Sequence, residues 1–536
     1  MHRAPLVAWE GTWREFCPRL ADADDFAMVS RTTPMHSRRF TLAVLFAAVA
    51  AFVPLRAAEA LKPNFILINI DDLGYADIEP FGSKLNRTPS LNRLAAEGMK
   101  LTSFYGAPVC SPSRAALMTG CYPKRALPIP HVLFPAGAVG LNPNEHTVAE
   151  VLKDAGYATG CIGKWHLGDQ PEFLPTRQGF DYYLGIPYSN DMGPVEDGSK
   201  SDLGAKLPEP KLANLTGNDE AGLRGQSQPP LPLLENERVI ARVRQDEQQG
   251  IVERYTTAAV KFIRDHKDRR FFLYLPHNAV HFPLYPGKAF RGKSQNGLYG
   301  DWVEEVDWSI GQVMSALREL KLDRNTLVLF TSDNGGTGRA VNAPLRGFKA
   351  STWEGGIRVP TIAWWPGKIP AGASSGAIAG MMDVLPTFAK LAGGTVPGDR
   401  KIDGVDLWPV LSGKAQDSGR EAFYYFRGPV LEAVRSGPWK LHLIARGPTG
   451  PKAKQKEAGE QPPILHNLDT DTGETKNLAA ANPDVVKRLQ ALAMKMSEDL
   501  GTEKFGAGSR PLGRVAKPQP LIGRDGKIRA GFEPKP

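Results

Sequence analysis

Four apolar runs in this chain each end in residues that bind ions or move protons. Phe65 to Ile70 runs into Asp71-Asp72, Thr159 to Ile162 into Lys164 and His166, Phe271 to Leu275 into His277 and His281, and Leu327 to Thr331 into Asp333-Asn334. Asp71, Asp72, Asp333 and Asn334 together offer only oxygen ligands, which suits a hard cation, Ca²⁺ or Mg²⁺, and does not suit zinc. Three carboxylates side by side repel strongly unless a cation lies among them. Each ending also has a plainer reading. Asp-Asp after a strand is commonly a turn with a helix cap, and Asp333-Asn334-Gly335-Gly336 is a good turn sequence in its own right. Four such endings in one chain are harder to dismiss. A further candidate is Cys110 in the stretch Cys110-Ser111-Pro112-Ser113-Arg114. Pro112 in a first turn with Ser111 as cap predicts a helix starting just after Cys110, where the helix dipole favours an anion. A lone cysteine is ordinarily a small buried hydrophobe, but the Ser, Pro and Arg beside this one weaken that reading.

Bringing these residues together requires an ordered set of elements. From Lys62 the chain alternates strand-like apolar runs with helical stretches, predicting an α/β sheet covered by helices on both faces. In open α/β sheets ligands sit outside the carboxyl ends of the strands, where the four polar endings fall. Helices are predicted over Pro89 to Glu97, His146 to Ala155, Glu253 to His266 and Trp302 to Leu320, each with apolar residues near i, i+3 and i+4. Residues 191–235, rich in Pro, Gly, Asn and Asp, read as a surface insertion. The polar stretch near Gly413 to Arg420 marks a boundary. Beyond it, Phe423 to Phe426, Ala433 to Val434, Trp439 to Ile444 and Ile464 to Leu468 predict a small antiparallel sheet. A last helix follows, with Asn482 as cap, Pro483 at its first position, and Val485, Leu489, Leu492 and Met496 on one face.

The chain is divided accordingly into residues 1–60, a leader; 61–418, the main domain; 419–500, the small sheet and helix; and 501–536, a tail. Phe40 to Leu55 is an uncharged run of sixteen residues after Arg38 and Arg39, with Ala58-Glu59-Ala60 behind it, the layout of a signal peptide. It is shorter than a membrane-spanning helix, so no transmembrane span is expected, and the protein is expected to be exported, periplasmic or secreted. Because 34 residues precede Met35, Met35 is read as the true start; an uncleaved signal anchor is the other reading. The net charge of +9 over 536 residues is too small for a dedicated nucleic-acid binder. The tail holds eight Lys/Arg against three Asp/Glu, and its seven Gly and five Pro predict a loosely ordered segment or one draped over the body. Cys17, Cys110, Cys121 and Cys161 are too few and too irregular for a disulfide scaffold or a zinc site. In an exported protein Cys121 and Cys161 either pair or, with Cys161 inside a central strand, Cys161 is a plain core residue. Trp302, Trp308, Trp364 and Trp365 read as packing groups.

Cys110-Ser111-Pro112-Ser113-Arg114 resembles the C-x-P-S-R signature of the type I sulfatases, and Gly163-Lys164-Trp165-His166-Leu167-Gly168 is similar to their second signature. The resemblance runs from about Asn64 to the final helix. It implies an alkaline-phosphatase-like fold, and oxidation of Cys110 by a formylglycine-generating enzyme to an aldehyde that exists as its hydrate. It further implies that Asp71, Asp72, Asp333, Asn334 and the modified residue 110 bind Ca²⁺. Arg114 would hold the hydrate and the metal ligands, while Lys164 and His166 would contact residue 110 and the sulfate. Lys349, in RGFKASTWEGG, matches the family lysine that binds sulfate and faces the leaving oxygen. One hydroxyl of the hydrate attacks sulfur, and the second lets sulfate be expelled, which a serine cannot do. For the remaining histidine, His281 is preferred because it directly precedes Phe282-Pro283; His277 either binds substrate or is a satisfied strand-end histidine. VHFPLY and RGFKASTWEGG resemble the arylsulfatase A and N-acetylgalactosamine-6-sulfatase branch, which implies a sulfated glycan or small sulfate ester as substrate. A phosphoester or phosphonate ester hydrolase of the same superfamily, and a non-catalytic glycan-binding homologue, are the alternatives.

Overall fold

The strands of the central sheet are buried on both faces. Every residue of Asn64–Ile70, Phe271–Pro276 and Thr326–Ser332 is buried, the pattern of a parallel sheet with helices on either side. This is a computed structural model that describes residues 62–209, 219–444 and 462–535, all within one compact unit, Glu59–Pro536. Cys17, Met35 and the Phe40–Leu55 run lie outside the described residues.

The body is an 11-stranded mixed sheet. Asn64–Ile70 lies at its centre, parallel to Phe271–Pro276 on one side and to Thr326–Ser332 on the other. Ala158–Ile162 pairs parallel with the far side of Phe271–Pro276, and Tyr182–Gly185 continues the sheet beyond it. The carboxyl ends of these strands therefore share one edge. Alternate residues of the central strand face two cores: Phe65 and Leu67 pack with Cys110–Thr119, Val148–Asp154 and Val384–Ala392, whereas Ile66, Ile68 and Ile70 pack with Pro89–Glu97, Ile251–Asp265 and Gly297–Glu319.

Two strands, Met99–Tyr105 and Arg358–Trp364, are absent from the sequence-based expectation. Arg358–Trp364 carries Pro360, which has no N–H to give, and the pairing register slips between Val359 and Thr361 to accommodate it. Residues 191–235 are also less peripheral than expected: Pro232–Glu235 pairs into the main sheet, and Met192, Asp197 and Ser199 are buried. Cys110, Cys121 and Cys161 are all buried free thiols, so Cys121 and Cys161 do not pair. Of the four tryptophans, Trp302, Trp364 and Trp365 are core residues and Trp308 is half-buried. Among the described residues no helix is long and apolar enough to cross a membrane.

The small sheet is antiparallel, in the order Phe423–Arg427, Val430–Ser436, Trp439–His442, Ile464–Asn467, and Leu489 and Leu492 of the helix Pro483–Leu500 pack against it. Asn482 occupies the cap position without a side-chain cap bond, and Pro483 opens the helix. Residues 501–535 are draped over the body. Leu521, Ile522 and Phe532 enter a core cluster of the main sheet, Val239 N–H donates to Phe532 O (2.8 Å), and Arg510 pairs with Glu145 (2.6 Å).

A buried ionic network joins the small sheet to the main one. Lys440 Nζ lies 2.9 Å from both Glu354 Oε1 and Glu474 Oε1 and donates to Thr352 O at 2.8 Å. Glu474 also accepts from His442 Nε2 (2.7 Å) and from Glu354 N–H (2.7 Å). Burial pushes the Glu354 and Glu474 carboxyls up, but Lys440 together with Arg358 and Arg435 at Glu354, and with His442 at Glu474, holds both below the ordinary range. Folded values below unfolded ones stabilise at neutral pH, and the contribution is lost as pH falls below about 4.5 and on through the depressed values. Lys440→Met leaves two buried carboxylates short of their main partner, so a loss of about 3–5 kcal/mol is expected. It is read as a lower urea midpoint at pH 7, and the gap from the parent protein narrows as pH falls toward 4.

Candidate active site

Cys110 stands where the sheet edge meets a helix N-terminus. The helix Cys110–Thr119 is buried throughout, begins at Cys110 itself, and has Val109 as its cap residue, with no side-chain cap bond. Ser111 is therefore not the cap; its Oγ accepts from Leu133 N–H at 3.2 Å. Cys110 Sγ lies 3.3 Å from Asp71 Oδ1 and 3.3 Å from Lys349 Nζ.

The strand-end residues converge on it. Asp71 and Asp72 follow the central strand, and Asp333 and Asn334 follow its parallel neighbour. All four are buried, and Asn334 Nδ2 donates to Asp72 Oδ1 at 2.7 Å. Lys164 Nζ sits 2.5 Å from Asp71 Oδ2, and Lys349 Nζ 2.6 Å from Asp72 Oδ1. Arg114 reaches Asp333 Oδ2 through Nη2 (2.9 Å) and Nε (3.1 Å), and donates from Nη1 to Lys164 O (2.6 Å). His281 Nε2 is 3.7 Å from Asp72 Oδ2. Asp72 and His166 hold left-handed backbone, with φ of 62° and 64°, at a cost of about 1–3 kcal/mol each that the surrounding structure must offset. Such strain fixes where these two side chains project.

The three carboxylates Asp71, Asp72 and Asp333 are matched by the three cations Arg114, Lys164 and Lys349. Burial pushes Asp71 up, but Lys164, His281, Arg114 and Lys349 together hold it well below the usual range. Burial and the charge of Asp71 push Asp333 up to about 6, against Arg114 and Lys164. Burial, then Asp333 and Asp71, push the Cys110 thiol well up, so an unmodified thiol here is protonated and a poor nucleophile. Burial and then Lys164 and Arg114 keep His166 neutral. Its Nε2 is 3.0 Å from Leu133 O, a pure acceptor, so Nε2 carries the proton and Nδ1, with no partner among the described residues, is a free acceptor.

Whether these residues suit a hard divalent cation is answered by their donor atoms. Asp71, Asp72, Asp333 and Asn334 present oxygens, ligand atoms of Asp71, Asp72, Cys110 and His281 lie within 4.8 Å of one another, and Asn334 Oδ1 is buried without a hydrogen-bond partner. An orphaned carbonyl beside three carboxylates fits such an ion, with Asn334 Oδ1 as a ligand.

His277 is not brought into this group. It is fully buried, its Nε2 lies 3.1 Å from Ser309 Oγ on the helix Gly297–Glu319, and burial lowers its pKa to about 3. Ser189 is the member that sequence reasoning missed: its Oγ is 3.1 Å from Lys164 Nζ and 3.2 Å from His281 Nδ1. The signal was present, since Pro187-Tyr188-Ser189-Asn190 follows the short strand Tyr182–Gly185, a fifth polar ending on the same edge.

A mixed sheet between helix layers, with carboxylates, lysines and a helix N-terminus gathered at its strand ends, defines an ester hydrolase of the alkaline-phosphatase-like class. Residues 63–394 match the sulfatase family, and residues 418–513 match the C-terminal region of aryl-sulfatase. Arylsulfatase A of Homo sapiens is 38% identical over 476 residues, covering 84% of this chain and 90% of that protein. N-acetylgalactosamine-6-sulfatase of Canis lupus familiaris is 36% identical over 461 residues, covering 80% and 84%. The crystal structure of Ps i-CgsB in complex with k-i-k-neocarrahexaose superposes with a TM-score of 0.66 at 30% identity, covering 83% of this chain and 95% of that one. The chain belongs to the sulfatase family, and its activity is that of a sulfuric ester hydrolase.

Proposed function

We propose that the protein removes sulfate from a sulfated carbohydrate or aryl sulfate, using Cys110 matured to formylglycine and a bound Ca²⁺, with Mg²⁺ as the substitute. The observation that carries this reading is the position of Cys110 Sγ, at a buried helix N-terminus and within 3.3 Å of both Asp71 and Lys349. Asp71, Asp72, Asp333, Asn334 and residue 110 would hold the ion, whose charge would offset that of the sulfate oxygens. The hydrated aldehyde supplies one hydroxyl as nucleophile and a second that lets the aldehyde be restored.

The chain's own residues do the rest. Arg114 fixes Asp333 from two nitrogens and keeps the carboxylate set in place. Asp333, or a neighbouring carboxylate, takes the proton from the attacking hydroxyl. Lys164 and Lys349 bring positive charge to the sulfate oxygens in a largely buried site, where such charge acts strongly. His281, held through Nδ1 by Ser189 Oγ, donates a proton to the oxygen of the departing alcohol as its bond to sulfur breaks, and Lys349 faces the same oxygen. His166 positions residue 110.

We read residues 61–418 as the catalytic domain and 419–500 as a subdomain that supports it. The leader argues for export to a periplasm or the cell exterior, and maturation calls for a formylglycine-generating enzyme. The test is the mass of the tryptic peptide 101–114 from protein co-expressed with that enzyme, together with release of alcohol from 4-nitrophenyl sulfate and 4-nitrophenyl phosphate. A peptide about 18 Da lighter than its thiol form, with the sulfate ester preferred, is the expected result. An intact thiol with no turnover points to a non-catalytic binding protein, and preference for the phosphate ester to the phosphoester alternative.

A further inference from the structure

The imidazole of His281 is held at Nδ1 from two sides. Phe282 O lies 2.5 Å from that nitrogen and Ser189 Oγ 3.2 Å. A carbonyl only accepts, so Nδ1 carries a ring proton and Nε2 is left to face the site, 3.7 Å from Asp72 Oδ2. The aim of Nε2 therefore depends on how two stretches of chain sit against each other. One is the loop 187–192, which brings Ser189, and the other is the segment 281–286, which brings His281 and Phe282.

The backbone bonds of these stretches run elsewhere: His166 N–H donates to Pro187 O, Met192 N–H to Ser189 O and His281 N–H to Asn278 O, each at 3.0 Å. Besides the Ser189–His281 contact itself, one hydrogen bond joins the two stretches among the described residues, from Asn190 Nδ2 to Pro283 O at 3.1 Å. Its two ends are the next residues along the chain from the two partners of Nδ1, since Asn190 follows Ser189 and Pro283 follows Phe282. The orientation of the Asn190 amide follows from chemistry. Pro283 O can only accept, so Nδ2 must face it, and the same nitrogen then meets Gln248 Oε1 at 3.3 Å. Asn190 and Gln248 are both buried, and this arrangement leaves Asn190 Oδ1 and Gln248 Nε2 with no partner. Two buried polar atoms go unmet while one N–H reaches Pro283 O, the reverse of what packing alone favours. Gln249, next in the short helix Gln245–Gln249, donates from Nε2 to Pro286 O at 3.2 Å and steadies the far end of the same segment.

We propose that Asn190 is a positioning residue for the reaction: it locks the stretch that carries Ser189 to the stretch that carries His281, and so sets the direction in which Nε2 meets the departing oxygen. Gln248 holds the Asn190 amide in its turn. Neither side chain touches a reacting group, and both act through the imidazole. The inference rests on the sulfatase reading above, with His281 as proton donor to the alcohol, and adds two residues to it.

The test compares the parent protein with Asn190→Leu and Gln248→Met, each confirmed as folded by its melting curve. Two esters of similar shape are used: 4-nitrophenyl sulfate, whose alcohol leaves readily without a proton, and 4-methoxyphenyl sulfate, whose alcohol leaves poorly without one. Asn190→Leu is expected to lower kcat/KM at least about fivefold on the methoxy ester and less than about twofold on the nitro ester, because the first depends far more on a well-aimed donor. Gln248→Met is expected to show the same preference with a smaller loss, and it decides the matter if the buried leucine prevents folding. In a His281→Ala background Asn190→Leu is expected to add almost nothing, since the residue acts through that imidazole. A crystal structure of Asn190→Leu is expected to show the Ser189 Oγ to His281 Nδ1 separation opened beyond about 4 Å. Equal losses on the two esters, or an equal loss with and without His281, overturn the proposal and leave Asn190 a packing residue. An unchanged separation does so too. If the parent protein cleaves neither ester, the sulfatase reading fails, and the crystal structure then decides the positioning by itself.

Discussion

Cys110→Ala is expected to lower the turnover of 4-nitrophenyl sulfate by at least about 10⁴-fold, the scale seen when a covalent nucleophile is removed. The side chain is buried and its sulfur is engaged by Asp71 and Lys349, and removing one sulfur atom is a small volume change, so the melting midpoint is expected to stay within a few degrees. Cys110→Ser separates two explanations that the alanine variant leaves joined. A serine hydroxyl can attack sulfur and release the alcohol once, but it has no second hydroxyl with which to expel the sulfate. A burst of at most one alcohol per enzyme, followed by arrest, is expected in a rapid-mixing experiment. Sustained turnover in either variant removes Cys110 from the reaction and with it the formylglycine reading.

The second large effect is expected at Lys349. Its ammonium touches Asp72 Oδ1 at 2.6 Å and Cys110 Sγ at 3.3 Å, so it reaches both the carboxylate set and the reacting residue. Burial works against its charge, but Asp72, then Cys110, Asp71 and Asp333, raise its pKa well above the ordinary value, so it is fully charged across the working pH range. Lys349→Met is expected to cost about 10²–10³ in kcat/KM, the range for removing one charged donor from a site of this kind. Lys349→Arg keeps the charge but changes its shape from a point to a planar fork, and is expected to recover only part of the loss. If Lys349 acts on the leaving oxygen, the loss is larger for an alkyl sulfate, whose alcohol leaves poorly, than for 4-nitrophenyl sulfate. A uniform loss across leaving groups limits its role to holding the sulfate.

Much of the site was legible because it follows one rule, polar residues after buried strands. Asp71, Asp72, Lys164, Asp333 and Asn334 all lie where that rule puts them, and the helix and strand runs around them carry clear periodicity. What escaped has identifiable causes. Ser189 follows a strand of only four residues, Tyr182–Gly185, too short to stand out as an apolar run. Arg358–Trp364 is interrupted by Pro360, which ordinarily argues against a central strand, and the register slip that tolerates it is a tertiary event. His277 and His281 are four residues apart and equally plausible by type; only folding turns one toward Ser309 and the other toward Asp72 and Ser189. Lys349 lies in a loop without regular structure, where periodicity says nothing, and resemblance alone singled it out. The ties between the small sheet and the main one, Lys440 to Glu354 above all, join residues 86 positions apart that no local pattern connects.

The stitching of the C-terminal segment into the body bears on the order of events during synthesis. Phe532 pairs with Val239 across nearly 300 positions of chain, and Leu521 and Ile522 complete the same core that packs against the helix starting at Cys110. The Leu521, Ile522 and Phe532 side chains can join that core only once residue 532 has been made, so the core is completed only at the end of synthesis. In the folded chain the thiol is buried at the N-terminus of a helix with no exposed residue. If Cys110 is matured as proposed above, the modifying enzyme has its readiest access before these last core segments dock, and refolded unmodified protein is expected to be converted less completely than nascent chain, which the mass of the Cys110 peptide would read.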